Sequence, residues 1–153
     1  MNSTDEVSSA DPFDLARFRS AQESTYADAV QELRSGHKRS HWMWFIFPQI
    51  EGLGTSATAR RFSIKSLVEA RQYLEHPVLG TRLIECTRIV NGVQGRSSLQ
   101  IFGMPDCLKF CSSMTLFELV AGRHSDFSAA LDKYCAGQRD PKTLGLIETA
   151  ASK

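Results

Sequence analysis

The residues of this chain best equipped for chemistry fall in two short segments. Between Pro105 and Ala121, helical spacing puts Asp106, Lys109 and Ser113 in one narrow polar strip, three and four residues apart. The remainder of that segment is apolar. Cys107, Phe110, Cys111, Met114 and Phe117 form one broad face, and Leu108, Leu116 and Leu119 another, so the helix is expected to be buried on most of its circumference. A polar strip on such a helix must be paired internally or must line a cavity. In the first case Asp106 and Lys109 form an i, i+3 ion pair near the helix start, where the dipole also favours Asp106. In the second, Lys109 holds an anion and Asp106 acts as base or orienter.

The second segment runs from His41 to Gln49. His41 can act as a general acid or base, and Trp42 and Trp44 beside it can stack on a ring or bind a cation. Gln49 offers both a donor and an acceptor, suited to an amide or a base edge. The plain structural readings are a core or helix-start histidine, and a glutamine bonded to loop backbone. Gly52 and Gly54 can bring backbone amides near a phosphate, with Thr55 and Ser56 opening a helix, or can simply form a turn. Cys107 and Cys111 share the apolar face of the later helix, without a Cys-x-x-Cys pair anywhere, so no metal site and no cofactor is expected. A triad of Ser113, His41 and Asp106 lacks the Gly-x-Ser-x-Gly turn that would expose the serine.

These residues need a scaffold, and 153 residues suffice for one domain of ordinary size. A domain of that length buries roughly 70% of its unfolded surface and needs neither metal nor disulfide to hold a core. Hydrophobic residues at 42% and charged ones at 23% make a globular composition. With 18 basic and 17 acidic residues the net charge is +1, so no overall field attracts nucleic acid or an anionic membrane. The longest apolar run, Trp42 to Phe47, is far short of a bilayer span. Met1 to Ala10 is polar, carries Asp5 and Glu6, and lacks the basic start and apolar middle of a secretory signal. A cytoplasmic location is therefore expected. Free thiols are expected with it at Cys86, Cys107, Cys111 and Cys135.

Helix signals recur along the chain. Pro12 can take a first helical position behind Asp11, and Thr25 with Asp28 has capping-box spacing before a helix that Gly36 closes. Ser66 and Glu69 make a further box, for a helix through about Leu74. Pro77 starts the next, with Leu79, Leu83, Cys86 and Val90 on one stripe and Gly92 as terminator. After the 105–121 helix, which ends at Gly122, Ser125 caps another that Gly137 ends. Asp140-Pro141 opens a last short one. The 41–47 run fits a buried strand or a buried helix; Ser40 as cap and Pro48 as stop favour a short helix. No stretch alternates cleanly with period two. The expected class is all-α, a compact multihelical single domain of about eight helices over residues 11–148. A disordered tail at 1–10 and a frayed end at 149–153 flank it.

Several blocks together resemble a known family. They are Lys38 through Gln49 with Gly52-Leu53-Gly54, then Glu69-Ala70, Tyr73-Leu74 and His76 through Gly80, then Ile101-Phe102-Gly103 with Asp106 and Lys109, and last Ser112 through Phe117. This pattern, running from about Leu15 to Leu146, is similar to that of a bacterial and fungal family of unknown function, numbered 1810. The resemblance implies a compact multihelical fold and no particular activity. Members often carry the label "calpastatin". Calpain inhibition by calpastatin depends on disordered repeats, and this chain has none, so the label implies nothing further here.

The functional expectation is one cleft between the 40–49 and 105–117 segments, floored by Trp42 and Trp44. His41, Gln49, Asp106, Lys109 and Ser113 converge there on a small anionic or nucleotide-like metabolite, which is bound or hydrolysed. A protein-interaction module is the rival and predicts an exposed apolar patch instead of a concave polar site. A third reading places nucleic acid on a basic patch of His37, Lys38, Arg39 and His41 with Arg60 and Arg61. No membrane partner is expected.

Overall fold

A computed structural model of the chain describes residues 10–152, with side chains through 150. Ten helices form among the described residues: α1 (Ala16–Glu23), α2 (Tyr26–Arg34), α3 (Met43–Ile46), α4 (Ala57–Arg61), α5 (Leu67–Glu75), α6 (Leu79–Gly92), α7 (Ser98–Phe102), α8 (Asp106–Ala121), α9 (Asp126–Tyr134) and α10 (Pro141–Ser152). The all-α class expected from the sequence holds. The extended structure among these residues is one isolated parallel bridge between Ile50 and Ile64. No helix among them is long and apolar enough to cross a membrane. The expected N-terminal tail, apart from Ala10, lies outside the described residues, and α10 continues to Ser152.

Helix α8 is the centre of the molecule, packed against α5, α7, α9 and α10. Its sequence has no single polar face, and nine of its sixteen residues are buried. Phe110 and Phe117 anchor it to a continuous aromatic core. Phe110 stacks on Phe102 at 4.7 Å and meets the edge of Phe47 at 5.1 Å. Phe117 lies 5.5 Å from Tyr73, which takes Phe18 edge-on at 5.1 Å. Leu108 and Leu119, expected on a second buried face of α8, are instead 58% and 41% exposed, because each lies near an end of the helix.

Buried polar groups link the elements. Glu32 of α2 is buried, and its carboxylate accepts from Arg39 N–H, Ser40 N–H, Ser40 Oγ and Trp42 Nε1, all at 2.6–3.0 Å. Burial pushes this carboxyl up, but the bonds from Ser40, Arg39 and Trp42 outweigh it and hold the pKa at about 2. Ser40 is thus bonded to Glu32 and does not cap α3, whose N-cap is Trp42. The 41–47 run does contain a helix, one turn long. Arg17 of α1 and Glu69 of α5 form a buried ion pair at 2.8 Å, and Arg17 also donates to the carbonyls of Arg61 and Ser63.

Several helix starts differ from expectation for a local reason. Asp11 does accept from Leu15 and Ala16 N–H, but Pro12 and Phe13 form a turn, so α1 begins four residues after Pro12. Thr25 stands at the N-cap of α2, yet its hydroxyl donates back to Ala21 O at 2.8 Å. Ser66 Oγ caps α5, while Glu69 turns to Lys65 N–H and Arg17 instead of closing the box. The reciprocal box is at Ser97 and Gln100, opening α7, a helix the spacing did not predict. Ser56 and Ser125 cap α4 and α9 as expected. Gly122, at φ 92°, ends α8.

Candidate functional site

A cleft of about 770 Å³ opens between the end of α3, the 53–56 loop, the first turns of α8, the end of α9 and the start of α10. Each element brings a different chemistry. Helix α3 presents Trp44, half-buried at the edge of the aromatic core. Three positions of α8 one helical turn apart or less, Leu108, Lys109 and Ser112, face the same space. The start of α10 adds Asp140 and Lys142, and Arg139 precedes it.

Electrostatics decide what such a wall attracts. The Asp106 carboxylate bonds Lys38 Nζ at 2.8 Å and reaches Lys109 Nζ only at 3.5 Å. Lys38 is the more enclosed lysine, 7% exposed against 22% for Lys109, and it also donates to Ser40 O at 2.6 Å. One carboxylate therefore serves two ammonium groups, and the surplus positive charge falls on the outer one. Lys109 Nζ sits 4.1 Å from the centroid of the Trp44 ring, whose face attracts a cation without neutralising it. Arg139 contributes less field, because both Glu118 carboxylate oxygens take its guanidinium. Those bonds, helped by Ser128 Oγ, hold the Glu118 carboxyl below the usual carboxylate range against the effect of burial. Asp140, on the same wall, accepts from Ser112 Oγ at 2.8 Å and from Thr143 Oγ1 at 2.6 Å, while its N–H donates to Thr115 Oγ1.

Of the seven site residues expected from the sequence, the structure brings Trp44, Gln49 and Lys109 to the cleft. Asp106 stands behind Lys109 and touches the cleft only through it. His41 is exposed and outside the cleft lining. Trp42 is fully buried with its Nε1 on Glu32, so it cannot floor a cleft. Ser113 is fully buried in the core, and its Oγ has no hydrogen-bond partner among the described residues. Lys38, expected in a surface basic patch, is committed to Asp106 and Ser40.

Contrary to expectation, the four cysteines are not all free thiols. Cys111 and Cys135 form a disulfide, and Cys86 and Cys107 are the free thiols. The pairing joins the middle of α8 to the end of α9, helices that pack together across 24 residues of sequence, and spacing alone could not show that proximity. Both half-cystines line the cleft, as does Cys107. Arg139, Asp140, Lys142 and Ser112 were also not anticipated as cleft residues. Asp140-Pro141 signalled a helix start, but nothing local showed that this start faces α8.

The family model described as "Protein of unknown function (DUF1810)" matches residues 12–147. The chain belongs to this family. Its fold is similar to a solved structure, the conserved hypothetical protein Rv1873 from Mycobacterium tuberculosis, at 56% identity and a TM-score of 0.88. The match covers 90% of this chain and 99% of that one. Among curated proteins, none matches the chain. Family membership thus agrees with the blocks that carried the resemblance, and it brings no activity with it.

Proposed function

We propose that the cleft binds a small anionic, nucleotide-like metabolite, with Lys109 as the group that holds the anion. The carrying observation is the shared carboxylate: Asp106 lies closer to Lys38 than to Lys109, which leaves the Lys109 charge facing the cleft only partly compensated. Three further features support the reading. The volume of about 770 Å³ lies within the range of roughly 300–1,000 Å³ common for small-molecule sites. Trp44 offers an aromatic surface and Gln49 an amide on the same wall. Lys142, exposed at the start of α10, adds a second cation. In this reading Asp106 orients Lys109 and does not touch the ligand. His41 has no part in it, and the proposal is one of binding, without a hydrolytic step.

The test is a thermal-shift screen against nucleotides, ADP-ribose derivatives and phosphorylated metabolites, with neutral nucleosides as controls and mass spectrometry of co-purified ligand. Ligand at a hundredfold excess over Kd stabilises by about 2.7 kcal/mol, or roughly 5–10 °C for a chain of this size. Stabilisation by anionic compounds and not by nucleosides is the expected result. The protein-interaction reading draws on Leu99, Met104 and Leu108, which are 54%, 67% and 58% exposed. It predicts no response to any small molecule in the same screen.

A further inference from the structure

We propose that the Cys111–Cys135 disulfide is a thiol-exchange site for an anionic low-molecular-weight thiol bound in the cleft. The proposal rests on the reading of the cleft as an anion site and names the chemical class of one ligand for it. Three of the four cysteines share the cleft wall: both half-cystines, each half-buried, and the free Cys107 one helical turn before Cys111. Cys86 is outside the cleft, and burial pushes its thiol up to about 12, which keeps it protonated and inert. Lys109 and Lys142 line the same space, and the opposing carboxylate in that lining, Asp140, accepts the Ser112 and Thr143 hydroxyls. Positive charge there draws in an anionic thiol and stabilises both the attacking and the departing thiolate.

The step balances with the thiol as reductant. A thiolate attacks one half-cystine sulfur; the new S–S bond forms as the old one breaks, and the electron pair leaves on the other cysteine as thiolate, which takes a proton from water. A second thiol attacks the mixed disulfide. The small-molecule disulfide departs, and Cys111 and Cys135 are both left reduced. Two thiols have then supplied the two electrons.

The experiment follows mixed-disulfide formation by intact mass on the folded Cys107→Ser protein, so that an adduct belongs to the Cys111–Cys135 pair. Glutathione, 2-mercaptoethanol and cysteamine give anionic, neutral and cationic probes, with rates normalised to thiolate concentration and to each thiol's rate with a small uncharged disulfide. We expect glutathione to react fastest and cysteamine slowest, with a spread of roughly tenfold that shrinks in added salt and in Lys142→Gln. Equal normalised rates, a disulfide inert to all three thiols until the chain is unfolded, or four free thiols in the purified wild-type protein would each overturn the proposal. S-methylglutathione, which cannot exchange, separates the two claims. If it raises the melting temperature while glutathione forms no adduct, the anion site stands and the exchange site falls.

Discussion

At Asp106 one carboxylate serves two lysines, Lys38 at 2.8 Å and Lys109 at 3.5 Å, and the difference has mutational consequences. Lys109→Met leaves Asp106 its nearer partner and removes a longer, partly exposed ion pair together with the ammonium contact on the Trp44 ring, which the Met side chain partly replaces, so chemical denaturation should register a loss of about 1 kcal/mol or less. Lys38→Met removes the enclosed partner and its bond to Ser40 O, and should cost roughly 2–4 kcal/mol. Equal losses in the two variants would mean that the lysines are not divided into inner and outer roles. His76 makes a second residue-level prediction. Its Nδ1 accepts from Val78 and Leu79 N–H, both at 3.1 Å, at the start of α6. Burial lowers its pKa, and Arg19 lowers it further against the opposing pull of Asp11. With the folded pKa below the unfolded value of about 6.5, the neutral ring contributes stability above that pH, and the contribution is lost as pH falls through the folded value. Between about pH 7 and pH 5 the wild-type melting temperature should therefore fall more steeply than that of His76→Asn, which can accept the same bonds without titrating. Parallel profiles would remove His76 from the acid response.

Among the elements, the tightest approach at a glycine is where α6 leaves α5. A Cβ on Gly80 would lie 1.8 Å from the Leu74 carbonyl oxygen, a rigid backbone atom. Gly80→Ala should cost about 3 kcal/mol or more, whereas Gly145→Ala in α10, with open space around it, should be neutral or stabilising by up to about 1 kcal/mol. Thermal denaturation of the two variants checks the opposite signs; a stable Gly80→Ala would show that α5 and α6 part without cost. This contact also explains why the His76 through Gly80 block could be read only as a helix boundary. The sequence carried the turn chemistry, and the close approach appears only when both helices are placed. Much the same holds for Ser40 and Thr25. Each looked like a cap by position, and each found a better partner, Ser40 in a buried carboxylate and Thr25 in the carbonyl one turn back. Where the cap competed with nothing, as at Ser56 and Ser125, spacing alone was sufficient.

For the whole molecule, the all-α class and most of the longer helices were legible because they follow from periodicity and punctuation, which are local, whereas the short α7 was not. The cleft was legible only in part. Its Lys109 wall could be found because a polar residue on an otherwise apolar helix demands a reason. Its α9 and α10 walls, including the Cys111–Cys135 bridge and Asp140, depend on packing between segments more than twenty residues apart. His41, Trp42 and Ser113 were chemically plausible but are directed elsewhere, two of them into the core. The deciding measurement is the melting temperature of wild type and Lys109→Met across the same panel of nucleotides, ADP-ribose derivatives and phosphorylated metabolites. An anion site at Lys109 requires that at least one of these compounds raise the wild-type value by roughly 5 °C or more. It also requires that the shift be absent in Lys109→Met, with the ligand-free values nearly equal. A panel that leaves the wild type unmoved, or a shift that survives intact in Lys109→Met, would contradict it.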